Sequence, residues 1–190
     1  MRLGMHIVST AWDGGAERLG STLTEAVEAA EAAGFDAISV TDHVWGSQYT
    51  GGAEASLVEG YTTLGFIAAR TRRVRLLTLA TAVPYRHAGL LAKIVTTLDV
   101  LSGGRAMLGI GAGDYAEEAE GLGLPFPPLG ERYELLEEWR RSTSPIDQAR
   151  STTTRQKIQD VQLIWLSTPS TARPTPRVAS ESTTVATHST

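Results

Sequence analysis

Four alternations of a strand pattern with a helix pattern, spaced about 35 residues apart, restrict the fold of this chain more than any other feature. Apolar runs begin at Leu3, Ala37, Val74 and Ala106, and a segment with helical apolar period follows each of them. Strands that alternate with helices form parallel sheets with right-handed crossovers. The sequence therefore predicts an α/β fold.

The predicted helices carry recognisable start and stop signals. The capping box Thr22-Leu23-Thr24-Glu25 predicts the start of the first helix, and Gly34 predicts its end. The third helix ends at the pair Gly103-Gly104, whose residues adopt positive φ at no steric cost. We predict strands over 3–8, 35–41, 74–81 and 106–110, and helices from 22, over 57–68, from 90 to 101 and over 131–140.

Two architectures fit this pattern. A (β/α)₈ barrel takes roughly 250 residues, so four units would be its first half. A doubly wound sheet, in contrast, could be complete with four or five strands. In both cases the loops that follow the strands lie on one edge, which is where α/β folds place their ligands.

Composition narrows the class of protein. The 190 residues, 42% of them hydrophobic, suffice for one domain with a core. No apolar run of about 18 residues and no signal-peptide pattern is present, so we expect a cytoplasmic protein with no membrane partner. The chain has no cysteine, its four histidines are separated, and its net charge is −4. These features argue against disulfides, a metal site and a nucleic-acid partner.

The composition changes near residue 140. All 19 glycines lie at or before Gly130, whereas residues 141–190 contain 19 Ser or Thr and one plausible strand, 161–166. We therefore predict a folded segment over 1–140 and an irregular, low-complexity, disordered tail over 141–190.

The loops that follow the predicted strands bring imidazoles, carboxylates, aromatic rings and a cation to one mouth. Such a set suits a flat polar ligand and proton transfer. The loops are 12–15, 42–45, 84–87 and 111–115.

Asp42 and His43 form the sharpest pair in this set. A histidine at a strand end can act as an acid or base near neutral pH, and a neighbouring carboxylate can bias its orientation or charge. Adjacent strand residues nevertheless point to opposite faces, and a structural histidine is the alternative. Asp114 is either a second acid or the N-cap of the next helix.

Two other patterns have competing interpretations. The sequence Gly111-Ala112-Gly113-Asp114-Tyr115-Ala116 fits the loose dinucleotide motif G-x-G-x-x-A, so an NAD-binding α/β enzyme is an alternative, although the strand and acidic residue that should follow are missing. Four arginines between residues 70 and 75 precede a strand and favour a solvated helix terminus. Arg86 follows a strand and is the better candidate for a phosphate or carboxylate contact.

These phrases together resemble the luciferase-like monooxygenase superfamily, in particular its branch of oxidoreductases that use the deazaflavin coenzyme F420. The resemblance covers about 138 residues and depends on the order of seven phrases. They are Thr41-Asp42-His43, Glu59-Gly60-Tyr61-Thr62-Thr63-Leu64-Gly65, Tyr85-Arg86-His87, Leu91-Ala92-Lys93, Leu98-Asp99-Val100-Leu101-Ser102-Gly103-Gly104-Arg105, Gly109-Ile110-Gly111-Ala112-Gly113 and Gly123-Leu124-Pro125-Phe126-Pro127-Pro128.

The resemblance implies a TIM-type barrel with the coenzyme ring across the strand ends. It makes His43 and Asp114 the catalytic candidates, although many relatives have Trp where Asp114 stands. It also implies a bulge near Thr78 and Leu79, often with a non-proline cis peptide. The implied cofactor-binding residues are Asp42, His43, Thr78, Leu79, Gly111 and Gly113.

The sequence thus predicts the first half of a TIM-type (β/α)₈ barrel, followed by an irregular Ser/Thr-rich tail. Its function would be F420-dependent hydride transfer to or from a small organic substrate, in a truncated form of uncertain activity. The alternatives are an FMN-dependent monooxygenase of the same superfamily, a non-catalytic half-barrel interaction protein and the NAD-binding enzyme. Exposed edges on strands one and four would allow a homo-oligomer.

Overall fold

A computed structural model describes residues 2–46, 50, 52, 55, 57–143 and 162–166. Within these residues strands and helices alternate along the chain, as predicted. The strands are β1 (Gly4–Ile7), β2 (Ala37–Val40), β3 (Arg75–Thr78), β4 (Thr81–Ala82), β5 (Met107–Gly111) and β6 (Gln162–Leu166). The helices are α1 (Gly15–Ala32), α2 (Gly60–Arg70), α3 (Ala88–Ser102), α4 (Ala116–Gly121) and α5 (Leu129–Thr143), and a 3₁₀ turn spans Val83–Tyr85.

The strands are parallel and follow chain order. One sheet has the order β1-β2-β3 and the other has the order β4-β5-β6. A bridge between Leu76 and Ala106 joins them, and the Leu76 N–H donates to the Arg105 carbonyl at 2.9 Å. A doubly wound sheet needs a reversal of strand order, which these strands lack, so the order favours a barrel wall.

The third predicted strand is divided in two. β3 pairs with β2, whereas β4 pairs with β5, so the continuous strand predicted over 74–81 is wrong at its centre. The bulge implied near Thr78 and Leu79 is present there, with a cis peptide bond between Leu79 and Ala80. The buried Tyr61 hydroxyl lies 3.2 Å from Thr78 Oγ1 and 2.7 Å from Thr81 Oγ1.

Two helix predictions need correction. α1 begins at Gly15, a full two turns before the capping box, with Gly14 as N-cap at φ 93°. Thr22, the predicted N-cap, therefore lies inside the helix, as does Thr24, whose hydroxyl donates to the Gly20 carbonyl. Good helix formers precede the box, so the helix extends through it. α4 was anticipated only through the interpretation of Asp114 as an N-cap, and no bounds were predicted for it.

α1, α2 and α3 pack their apolar faces on the sheet. The members of this core with the least exposure include Val27, Ile38, Leu64, Ile67, Leu76, Leu91 and Ile110. β6 pairs with β5 along five residues, so the edge of the fourth predicted strand is covered and the expectation that it is exposed is wrong. β6 coincides with the strand indicated at 161–166. The rest of the predicted tail beyond Thr143 lies outside the described residues.

The end of the sheet opposite the predicted mouth is held by charged side chains. The Arg105 guanidinium donates to the carbonyl oxygens of Ala68, Thr71, Val74 and Ser102 and to Thr71 Oγ1, at 2.8 to 3.1 Å. The Glu31 carboxylate accepts the backbone N–H groups of Arg72, Arg73 and Val74. The structure thus supports a structural role for this end. Within the described part of the chain, no helix is long and apolar enough to cross a membrane.

Candidate active site

His43 follows β2 and lies at the mouth, where its side chain is 29% exposed. Its Nδ1 is 2.8 Å from Oε2 of Glu118, a residue of α4. The edge of the Tyr115 ring packs against the imidazole, with the ring centroids 5.9 Å apart and an interplanar angle of 77°. The imidazole is therefore held on one side and accessible to a ligand.

The Glu118 side chain is completely buried, at 0% exposure, and each of its carboxylate oxygens has two partners. The N–H groups of Val44 and Trp45 donate to Oε1. The Tyr85 hydroxyl donates to Oε2 at 2.7 Å, beside His43. Burial opposes ionisation of Glu118, but the hydrogen bonds from His43, Val44 and Tyr85 outweigh it and lower the pKa of the carboxyl.

The hydrogen bond to Glu118 raises the pKa of His43, and burial opposes this effect. Burial, together with the neighbouring Glu118 carboxylate, raises the pKa of the Tyr85 hydroxyl, so that it stays protonated and acts as a donor. The group His43, Glu118 and Tyr85 is therefore an acid–base arrangement around one buried negative charge.

Asp42 makes no hydrogen bond to His43, but its charge helps to raise the pKa of His43, which is the bias on charge predicted for the adjacent carboxylate. Its Oδ2 accepts from Arg86 Nη1 at 2.5 Å, because neighbouring residues at a strand end point in different directions. Arg86 Nη2 also donates to Glu59 Oε1 at 2.8 Å, and the guanidinium lies over the Tyr61 ring. Arg86 is thus engaged by two carboxylates of this chain, and its contact with a phosphate or carboxylate of a ligand stays a prediction.

Asp42 supports the site from beneath its surface. It is 4% exposed, and its Oδ1 is buried without a hydrogen-bond partner among the described residues. Burial raises the pKa of Asp42 to about 6, although the hydrogen bond from Arg86 lowers it. Its assignment as a direct cofactor contact remains a prediction.

The raised pKa of Asp42 predicts a specific dependence of stability on pH. The folded protein holds this proton up to about pH 6, whereas an unfolded Asp releases it near 3.8, so ionisation favours the unfolded state. We expect wild-type protein to lose about 2 to 3 kcal/mol relative to Asp42→Asn between pH 4 and pH 7.5.

Urea unfolding of both proteins at the two pH values measures this difference. The variant Asp13→Asn, which alters an exposed carboxylate, is the control and should show no such change relative to wild type. An equal pH dependence of wild type and Asp42→Asn would show that folding does not raise the pKa of Asp42.

The glycine loop after β5 is held from below by α5. Arg132 donates to the carbonyl oxygens of Pro127, Ala112 and Gly113, and its guanidinium lies 4.0 Å from the centre of the Phe126 ring. Gly113 has φ +80°, and a Cβ there would lie 3.2 Å from the Ala82 side chain. The positive φ and the close approach both favour glycine at this position.

Asp114 is exposed at the end of this loop. The interpretation as a helix cap is wrong, because the N-cap of α4 is Tyr115 and no side chain bonds there. Asp114 contributes to the raised pKa of His43, so the two catalytic candidates share one electrostatic environment.

The remaining residues predicted to bind the cofactor differ in how deeply they are buried. Thr78 is fully buried, and its hydroxyl is used by Tyr61 and Thr81, so its assignment as a cofactor-binding residue stays a prediction. Leu79, Gly111 and Gly113 are half-buried at the mouth. Two residues of the predicted mouth have structural contacts, since His87 Nδ1 accepts the Gly89 N–H at the start of α3 and Trp12 packs against the core.

Sequence reasoning missed Glu118 and the role of Glu59. Glu118 lies in the run Ala116-Glu117-Glu118-Ala119-Glu120, which reads as a solvated helix face and gives no signal of burial. Glu59 begins the motif 59–65 that supports the family resemblance. Its carboxylate caps α2 by accepting hydrogen bonds from the N–H groups of Tyr61 and Thr62. A glutamate just before a helical period was the available signal for this cap.

The mouth suits a planar coenzyme. The bulge at Leu79–Ala80 and the glycine loop are half-buried and follow parallel strands, as does His43 with the Tyr115 ring against it, so all lie at the same edge of the strands. A flat ring can approach backbone that small residues leave open. The fold and the site thus define an α/β protein with an acid–base site at the ends of parallel strands.

Comparison with known proteins gives the family. The model of the luciferase-like monooxygenase family matches residues 1–185, so this chain belongs to that family. The match extends beyond the residues that carry the sequence phrases. The resemblance predicted from those phrases is confirmed.

A relative and two solved structures illustrate the similarity. The chain is 43% identical over 111 residues to an F420-dependent glucose-6-phosphate dehydrogenase of Beutenbergia cavernae, a match that covers 57% of this chain and 32% of the relative. The F420-dependent tetrahydromethanopterin reductase of Methanopyrus kandleri has a TM-score of 0.62 at 20% identity, with 86% and 49% of the two chains covered. The oxygenating component of 3,6-diketocamphane monooxygenase of Pseudomonas putida, in complex with FMN, has a TM-score of 0.60 at 18% identity, with 79% and 40% covered.

At these identities the two structures show that the fold is shared. This chain spans about a third of the length of the curated relative.

Proposed function

We propose that this chain forms the first half of a (β/α)₈ barrel that binds coenzyme F420 and supports hydride transfer between it and a small organic substrate. The observation that carries the proposal is the half-exposed His43, fixed by the buried carboxylate of Glu118 beside the bulge and the glycine loop. The 43% identity to an F420-dependent dehydrogenase supports the choice of coenzyme.

The residues of the chain divide the work at this site. Leu79, Ala80 and the glycine loop offer an open surface on which a ring can lie, and Arg132 keeps that loop in place. His43 exchanges a proton with the substrate, which balances the hydride that the deazaflavin accepts or donates when bound. Arg86 joins the loops that carry Asp42 and Glu59, so it fixes the shape of the mouth.

Coenzyme binding to the 190-residue chain tests the proposal. We expect F420 to shift the backbone amide signals of Leu79, Ala80 and Gly111 to Tyr115 in ¹H–¹⁵N NMR spectra, because these residues lie at the mouth. Amides near Arg105, at the opposite end of the sheet, are the internal control and should not shift.

FMN and NAD, titrated in parallel, distinguish the alternatives. Shifts at the mouth with NAD and not with F420 would support a dinucleotide-binding enzyme. Absence of binding by all three would favour a non-catalytic half-barrel, and sedimentation of the chain would then show whether it associates with itself.

An FMN-dependent monooxygenase is the second candidate. The similarity in fold to the oxygenating component in complex with FMN favours it, since both ring systems are planar and similar in size. Stronger shifts with FMN than with F420 at the same amides would select this candidate.

A further inference from the structure

Glu118 is buried with four donors around it, which fixes where protons can reside. Val44 and Trp45 approach through backbone N–H groups, which can only donate, and Tyr85 remains a protonated phenol. Each carboxylate oxygen can accept two hydrogen bonds, which gives four acceptor positions in total. Val44, Trp45 and Tyr85 occupy three of them, and the fourth, on Oε2, faces His43 Nδ1 at 2.8 Å. An ionised Glu118 satisfies all four contacts only if Nδ1 carries a hydrogen.

The alternative arrangement is unfavourable. A neutral imidazole with its hydrogen on Nε2 would direct the Nδ1 lone pair at the buried carboxylate of Glu118. Two acceptors, Nδ1 and Oε2, would then face each other with no hydrogen between them. Protonating Glu118 instead would sacrifice hydrogen bonds that the charged carboxylate receives from Val44, Trp45 and Tyr85. Nδ1 therefore stays protonated in both charge states of the ring.

We propose that Glu118 is a positioning residue that keeps His43 Nδ1 protonated throughout the reaction, so that Nε2 is the atom that exchanges the proton with the substrate. The role of Nε2 in proton exchange rests on the function proposed above, whereas the position of the hydrogen on Nδ1 does not. Among the described residues, no hydrogen bond engages Nε2, and the imidazole is 29% exposed. When a substrate alcohol is oxidised, its hydroxyl proton goes to Nε2 and its hydride leaves with the coenzyme. The reverse reaction returns both.

Three carboxylates near His43, those of Glu118, Asp114 and Asp42, raise its pKa, and the other neighbours contact the imidazole or these carboxylates. The groups that face His43 are Glu118 and Tyr85, which meet at one carboxylate oxygen, the loop residues Asp114 and Tyr115, and the neighbouring Asp42 with its partner Arg86. Glu118 makes the direct contact, so its replacement should dominate the response.

The test measures the imidazole nitrogens of the full 190-residue chain by long-range ¹H–¹⁵N NMR between pH 5 and pH 9, without coenzyme. His43 is assigned from the signals that disappear in His43→Gln. We expect the neutral ring to carry its hydrogen on Nδ1. In Glu118→Gln the carboxamide oxygen still accepts from Val44 and Trp45, and its NH₂ group faces Nδ1. The neutral ring should therefore change to the Nε2–H form, and proton affinity should fall about tenfold or more.

Glu120→Gln is the matched control, because Glu120 lies in the same helix and is exposed. It should leave the tautomer and the titration of His43 unchanged. A neutral wild-type ring with hydrogen on Nε2, or an unchanged tautomer in Glu118→Gln, would overturn the proposal. If Glu118→Gln does not fold, as judged by circular dichroism, Tyr85→Phe replaces it.

Tyr85→Phe removes one of the two donors to Glu118 Oε2, so His43 becomes the only donor to that oxygen. The Nδ1–H form of His43 should persist, and the proton affinity of His43 should rise. A lower affinity would contradict the proposal. None of these measurements uses F420. A failure of this proposal can therefore be distinguished from a failure of the proposed coenzyme binding.

Discussion

Replacement of His43 by alanine is expected to lower kcat about 100-fold or more, with a much smaller change in coenzyme affinity. The imidazole lies at the mouth beside the bulge and the glycine loop, and it is the side chain that we propose exchanges the substrate proton. The loss of a positioned acid–base group lowers turnover more than binding. Steady-state kinetics would measure the effect in a complete barrel, made by joining residues 1–143 to the second half of an F420-dependent relative.

Asp114→Asn is the comparison for this variant. Asp114 is exposed and does not cap α4, so its replacement changes only the charge near His43. We expect a smaller loss of kcat than in His43→Ala. Full kcat in His43→Ala together with a large loss in Asp114→Asn would assign the acid–base role to Asp114.

The second large effect concerns stability. Arg105→Met should lower the free energy of unfolding by about 3 to 5 kcal/mol. The guanidinium donates to four carbonyl oxygens and one hydroxyl between the ends of α2 and α3 and the start of β3. Methionine retains much of the apolar stem but leaves these acceptors without their charged donor.

Urea unfolding at pH 7 measures this loss. Arg141→Met removes an exposed arginine that pairs with Glu137 within α5, and it should change the free energy of unfolding by less than about 0.5 kcal/mol. Equal effects of the two substitutions would show that water replaces the Arg105 donors without cost.

Sequence was most informative where local signals sufficed. The apolar period and the pair Gly103-Gly104 predicted the third helix, and α3 ends at Ser102 with Gly103 in the left-handed region at φ 74°. The uncharged run after it predicted a buried strand, which is β5. Both features depend on residues within a few positions of each other, so they can be predicted from a short stretch of sequence.

The partners in the candidate site could not be predicted in this way. His43 and Glu118 are 75 residues apart, and Asp42 and Arg86 are 44 residues apart. Their pairing follows from strand order and from the bulge between β3 and β4, where one predicted strand changes its neighbour. The capping box failed for the opposite reason, because a stronger local preference upstream extended α1 through it.

The long separation between His43 and Glu118 links the chemistry of the mouth to the order in which the chain is made. A nascent chain that has emerged only as far as α3 already contains His43 but lacks its buried anion. The hydrogen bond that we propose to fix the Nδ1 hydrogen therefore cannot form until α4 has been made. The tautomer that we propose for His43 thus depends on a contact of long sequence separation, which is slow to form in folding.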